Sequence, residues 1–210
     1  MKSTISGVYG ILPADVETGL LLEKAEQALI GGVRTLQFRD KKSGYRRALK
    51  RALALRDLTT RYQAILMIND SLQMAQESAA DGVHLGREEA GHVADIRGQV
   101  GAEMLIGITC RADAVLAKLA LEQGADYVAF GALFGSHSKP EVPLLGLPRL
   151  LKARQMFPEA QLCAIGGISL ENIAAVKSTG VNSVAMISGL FHGDDVEQRA
   201  RELTAAWALA

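Results

Sequence analysis

Apolar residues in this chain follow two alternating rhythms. Compact, largely apolar runs, several of them ending on polar residues, recur at 8–12, 35–41, 64–70, 82–86, 105–109, 127–131, 162–167 and 183–188. Runs of this kind, with no helical or alternating pattern, predict strands buried on both faces. Between them, apolar positions three and four apart predict helices at about 20–29, 46–62, 72–80, 90–100, 112–123, 147–156, 170–178 and 196–209. Pro13 stops the first strand, and Gly31-Gly32 and Gly124 close helices. The alternation has no linker and no break in composition. It demands a parallel sheet covered by helices, and eight units close most commonly into a (β/α)8 TIM barrel, here a single domain over residues 1–210. A doubly wound open sheet is the alternative, but no Gly-rich dinucleotide fingerprint follows the first strand.

Composition adds limits. Of the 210 residues 49% are hydrophobic and only 5% aromatic, so the core is built from Leu, Ile, Val, Ala and Met. Lys and Arg number 23 against 23 Asp and Glu, which gives no global reason to expect nucleic acid or an acidic membrane as partner. Local basic clusters still suit small anions. The many basic residues of the second helix read as a solvated face. Cys110 and Cys163 fall in or beside apolar runs without metal or redox spacing, and read as buried thiols. Residues 1–7 carry no apolar secretion core and no run of 18 apolar residues occurs, so a cytoplasmic, soluble protein is expected.

In a barrel the C-terminal strand ends share one mouth. Gln37, Arg39 and Lys41 reach it from the second strand, Asn69 and Asp70 from the third. His84 and Glu89 follow the fourth, Thr109 the fifth, and Ser136, Ser138 and Lys139 the sixth. Gly166 and Gly167 end the seventh, Ile187 and Ser188 the eighth. Arg39, Lys41 and Lys139 concentrate positive charge beside two hydroxyls, a set suited to polyphosphate. Asp70 and Glu89 offer two carboxylates to a hard cation, and Mg²⁺ takes such a pair together with substrate phosphates. Gly167 and Ser188 occupy the usual phosphate cradle after strands seven and eight. Each piece also has a plain reading. Asn69-Asp70 would be a turn and helix cap, Arg39 to Lys41 a solvated loop, His84 a hydrogen-bonded core residue, and His137 an exposed one.

Taken together, the motifs Gly32-Val33-Arg34-Thr35-Leu36-Gln37-Phe38-Arg39-Asp40-Lys41, Ile68-Asn69-Asp70 and Ala80-Asp81-Gly82-Val83-His84-Leu85-Gly86 resemble the thiamin phosphate synthase family. Gly124-Ala125-Asp126-Tyr127, Ala164-Ile165-Gly166-Gly167-Ile168 and Val184-Ala185-Met186-Ile187-Ser188 extend the resemblance from about residue 7 to 191. It implies an enzyme joining hydroxymethylpyrimidine diphosphate to thiazole phosphate, with Mg²⁺ as cofactor and loss of pyrophosphate ahead of thiazole attack. By the same resemblance, Arg39, Lys41, Lys139 and Asn69 would be catalytic, Gln37 and Asn69 would hold the pyrimidine or the diphosphate with Thr109 beside them, and Gly167, Ile187 and Ser188 would hold the thiazole phosphate. Ser136 and Ser138 would be substrate-binding together with Lys139, and Asp70 and Glu89 would hold the metal. The chain departs from the family pattern at Gly86-Arg87-Glu88-Glu89, at Ser136-His137-Ser138-Lys139 and at Gly107-Ile108-Thr109. Two other functions compete. A thiazole tautomerase of the same barrel needs a histidine after strand five, where this chain has Thr109-Cys110-Arg111; a non-catalytic barrel would only bind phosphorylated ligands. Partners are expected to be small molecules, and the sequence leaves open whether copies associate as a homo-oligomer.

Overall fold

The computed structural model describes residues 4–135 and 144–210, apart from the side chain of Ala90. Eight parallel strands close in sequence order into a barrel, β1 (Gly7–Ile11) pairing with both β2 (Thr35–Phe38) and β8 (Ser183–Met186). Between them run β3 (Ile65–Asn69), β4 (Gly82–Leu85), β5 (Leu105–Arg111), β6 (Tyr127–Gly131) and β7 (Gln161–Ile165). The (β/α)8 architecture expected from the alternation is the one observed.

Helices α1 (Thr18–Ile30), α2 (Tyr45–Arg61), α3 (Leu72–Glu77), α4 (Val93–Val100), α5 (Ala114–Glu122), α6 (Gly146–Met156) and α7 (Ile173–Lys177) cover the strands. Two pieces differ from expectation. The fourth helix is preceded by a 3-10 turn, Arg87–Gly91, and a short α8 (Ser188–Phe191) precedes the final α9 (Val196–Leu209). Strand two ends at Phe38, so Arg39 to Lys41 stand on a loop.

Strand alternation divides the core into two layers. On β3, Leu66 and Ile68 join the large cluster between barrel and helices, while Met67 points inward with Tyr9, Leu105, Tyr127, Ala129, Cys163 and Ala185. The inner layer accommodates Tyr127 because the residue paired with it on β5 is a glycine. At Gly107 even a Cβ would sit 2.0 Å from Tyr127 Cζ.

The face opposite the mouth carries one device three times. Asp81, entering β4, accepts the Leu66 N–H of β3 at 2.8 Å and pairs with Arg56 of α2 at 2.5 Å. Asp126, entering β6, does the same for Ile106 at 2.7 Å and Arg97 of α4 at 2.6 Å. Asn182, entering β8, binds Leu162 N–H at 2.9 Å and Arg154 of α6 at 2.6 Å. Arg56, with an internal pair at Arg51, corrects the reading of the basic residues of α2 as a solvated face at two positions, while Arg46, Arg47, Lys50 and Arg61 are exposed as expected. Arg51 is 2% exposed and bound to Asp40, and Arg56 is only partly exposed.

Candidate active site

At the C-terminal strand ends lies a cavity of about 400 Å³. Gln37 lines it from within β2 and Arg39 just beyond that strand, Asn69 at the end of β3, and His84 on β4; Thr109 and Arg111 come from β5. Gly166, Gly167, Ile187 and Ser188 complete it after β7 and β8. The structure thus brings together every described member of the expected substrate-binding set except Lys41. Ser136, Ser138 and Lys139, with His137, lie outside the described residues.

The loop after β2 is fixed by its middle residue. Asp40 points inward onto Arg51 at 2.5 Å and accepts the Lys42 and Ser43 N–H groups. Burial opposes ionisation of Asp40, but the hydrogen bonds from Ser43, Lys42 and Arg51 outweigh it and hold the carboxyl below its ordinary value. Arg51 also donates to the Ala14 and Val16 carbonyls and lies 5.8 Å from the Phe38 ring centre. Pinned in this way, Arg39 faces the cavity and Lys41 the rim. The loop is anchored, not freely solvated.

Lys41 Nζ stands 3.0 Å from the Asp70 carboxylate, each about half exposed. Asp70 has φ +60°, a left-handed conformation that aspartate tolerates better than most residues, and its N–H donates to the His84 carbonyl at 2.9 Å. It does not cap the next helix: Ser71 does, its Oγ accepting from Met74 N–H. Glu89 sits in the 3-10 turn after β4 and folds back, its Oε2 only 3.1 Å from where a Cβ on Gly86 would be. Two oxygen donors therefore stand at adjacent strand ends. Among the described residues no three His, Cys, Asp or Glu side chains come together as a cage. Either carboxylate could serve a hard cation that takes its other ligands from phosphate and water, and Asp70 is at present held by Lys41.

A chain of buried polar groups forms the cavity floor, with only Tyr127 wholly behind the surface. Gln37 Nε2 donates to Tyr9 Oη at 2.7 Å, and Tyr9 and Tyr127 hydroxyls meet at 3.2 Å. Tyr127 Oη is 2.7 Å from His84 Nδ1, and His84 Nε2 is 2.8 Å from Thr109 Oγ1. Burial lowers the His84 pKa to about 4, against a smaller opposing pull from the Asp70 charge, so the imidazole is neutral near pH 7. Burial raises both tyrosine pKa values, and both phenols stay protonated. The core reading of His84 describes its bonding, yet its edge also lines the cavity.

At the seventh strand end the backbone itself forms the wall. Gly167 has φ +62°, and a Cβ there would lie 2.6 Å from the Gly135 carbonyl oxygen. Only glycine fits that turn, which leaves its backbone bare to the cavity.

A family model described as thiamine monophosphate synthase matches residues 8–190. The chain belongs to that family. A thiamine-phosphate synthase of Methylobacillus flagellatus is 41% identical over 198 residues, covering 94% of this chain and 93% of the relative. One of Acidithiobacillus ferrooxidans is 42% identical over 205 residues, covering 96% and 94%. The solved structure of a thiamine phosphate pyrophosphorylase from Pyrococcus furiosus superposes with TM-score 0.85 at 28% identity, covering 97% of this chain and 96% of that one. A 3-hexulose-6-phosphate synthase, at TM-score 0.73 and 16% identity, shares the fold alone.

Seen as a member of this family, the chain holds site features that the sequence reading did not single out. Tyr9 and Tyr127 were legible only as tyrosines inside otherwise apolar strands. Arg111 has φ +53° at a register shift between β5 and β6, and it lines the cavity. Arg51 had no signal beyond its place in a basic helix.

Proposed function

We propose that the chain is a thiamin phosphate synthase, a transferase joining hydroxymethylpyrimidine diphosphate to thiazole phosphate with release of pyrophosphate. One observation carries the reading. The charged groups lining the cavity, Arg39 and Arg111, are both cations without an ion-pair partner among the described residues, and glycine-bare turns face them from β7. A cavity of that kind receives anions at two places.

In the proposed reaction the bond between the pyrimidine methylene carbon and the diphosphate oxygen breaks, and its electron pair leaves with pyrophosphate. The thiazole nitrogen lone pair then forms the new C–N bond, so no general base is required. Arg39 and Lys41, with Lys139, stabilise the negative charge that grows on the leaving group. Asn69 and Gln37 orient the pyrimidine, and Thr109 lies beside them. Gly167, Ile187 and Ser188 hold the thiazole phosphate at a distance that favours attack. Asp70 and Glu89 would hold Mg²⁺, which when bound neutralises diphosphate charge. The chain works as a single domain in the cytoplasm on these small molecules.

The test is one incubation with both substrates and Mg²⁺, following pyrophosphate and thiamin phosphate together. EDTA-sensitive product is expected, with turnover lost in Asp70→Ala. No product from a protein that still binds thiazole phosphate would refute the synthase reading in favour of the tautomerase or the binding protein.

A further inference from the structure

The buried chain at the cavity floor has a direction. Gln37 Nε2 gives a proton to Tyr9 Oη, and Tyr127 is the other hydroxyl within reach of Tyr9. Tyr9 therefore spends its own proton on Tyr127. Tyr127 in turn has one proton and one remaining acceptor, His84 Nδ1 at 2.7 Å. With Nδ1 accepting, the neutral ring carries its hydrogen on Nε2 and donates it to Thr109 Oγ1 at 2.8 Å. Thr109, having accepted, turns its own hydrogen to the cavity. Every proton in the line is then used once, and each inner group is satisfied in a place where an unpaired one costs heavily.

The opposite direction requires the Gln37 amide to turn over. With its oxygen on Tyr9, both phenols reverse, the imidazole changes tautomer, and Thr109 presents lone pairs to the cavity instead of a hydrogen. The amide cannot flip alone, because a flip by itself sets two acceptors or two donors against each other along the line. Gln37 and Thr109, both in the cavity wall, are thus coupled through three groups that are almost wholly buried.

We propose that Tyr9, Tyr127 and His84 are positioning residues that hold the Gln37 amide in one orientation, and so set how strongly the site prefers its aminopyrimidine over the oxo counterpart. The inference rests on the synthase reading for the identity of the ligand, though not for the direction of the line. With Nε2 committed to Tyr9, Gln37 offers the cavity a carbonyl oxygen and one remaining N–H. That edge matches an exocyclic amine beside an unprotonated ring nitrogen. An oxopyrimidine offers the reverse pair, a carbonyl oxygen beside a ring N–H, and accepting it means reversing the whole line. Tyr9, Tyr127 and His84 are positioning residues in this account, acting through Gln37 and Thr109.

Two measurements test it. The first is the ¹⁵N spectrum of the ligand-free protein at neutral pH, with the His84 signals assigned by their loss in His84→Asn. An Nε2–H tautomer is expected; an Nδ1–H tautomer or an imidazolium would overturn the proposal, whatever the enzyme's substrate. The second is the ratio of kcat/KM for hydroxymethylpyrimidine diphosphate to that for its 4-oxo analogue, in the parent, in Tyr127→Phe and in Tyr9→Phe. Either substitution keeps the ring and cuts the line. The ratio is expected to fall about 10-fold or more in both, the scale on which mispaired polar groups discriminate. An unchanged ratio in a folded variant would refute the coupling. Failure of the parent to use either pyrimidine would reject the synthase reading and with it the aminopyrimidine assignment, while the spectrum would still decide the direction of the line.

Discussion

Acidification provides a direct measure of how closed the barrel floor is. His84 has an ordinary pKa of 6.5 when the chain unfolds and about 4 when it is folded, because burial penalises the imidazolium. Its folded value is depressed, so between these limits the unfolded chain binds the extra proton. The contribution of His84 is therefore fully present above pH 6.5 and is lost as pH falls toward 4. Each pH unit in that window is worth roughly 1.4 kcal/mol, so going from pH 7 to about pH 5 removes about 2 kcal/mol. Carboxylates elsewhere titrate too, and the informative quantity is the difference from His84→Asn, which lacks the ring. For a chain of this size about 2 kcal/mol is about 4–8 °C in Tm. Calorimetry of both proteins at neutral pH and near pH 5 should show the parent losing that much more than the variant. Equal losses would show that His84 is solvated in the folded state, and the buried line through Tyr127 would then be wrong.

Three further outcomes follow from the geometry. Arg51→Met leaves the Asp40 carboxylate buried without its partner and should cost about 3–5 kcal/mol in urea unfolding, with much of that regained in Arg51→Met combined with Asp40→Asn; a double variant no better than the single would deny the pairing. Gly167→Ala forces a Cβ to 2.6 Å from the Gly135 oxygen at φ +62°, so stability should fall by about 1–3 kcal/mol and KM for thiazole phosphate should rise. Unchanged KM would remove Gly167 from the phosphate site. Asn182→Asp gives Arg154 the charged partner that Arg56 and Arg97 already have, and should raise Tm by about 2–4 °C. A drop would mean the added carboxylate is not reached by the guanidinium.

The architecture was readable because each βα unit writes its own signal: an apolar run, a helical rhythm, a glycine or proline stop. The last helix, Val196–Leu209, falls where its periodicity placed it. What failed was local. Ser188 opens a helical turn instead of ending a strand, since four residues are too few to show a period. Arg51 and Arg46 look alike in sequence, yet one is sealed against Asp40 while the other is exposed. Which arginine of an amphipathic helix faces inward depends on loops contributed by β1 and β2, and no pattern within the helix carries that. The mouth residues were found through their positions after strands. The tyrosines behind Gln37 were missed because their role depends on strands far apart in sequence meeting across the barrel interior.

The three clasps on the face away from the cavity divide the wall into hinged panels. Each sews an odd strand to the next even one through a helix arginine: β3 to β4, β5 to β6, β7 to β8. Arg34, entering β2, instead turns back to the Leu29 and Val33 carbonyls, and among the described residues β1 and β2 carry no such clasp. Amide exchange should accordingly be slowest at Leu66, Ile106 and Leu162 and earliest along the β1–β2 seam. Because these rivets lie at the opposite pole from the cavity, side chains at the mouth can change without loosening the shell that carries them. Such a division of labour lets a single scaffold change its substrates while keeping its melting point.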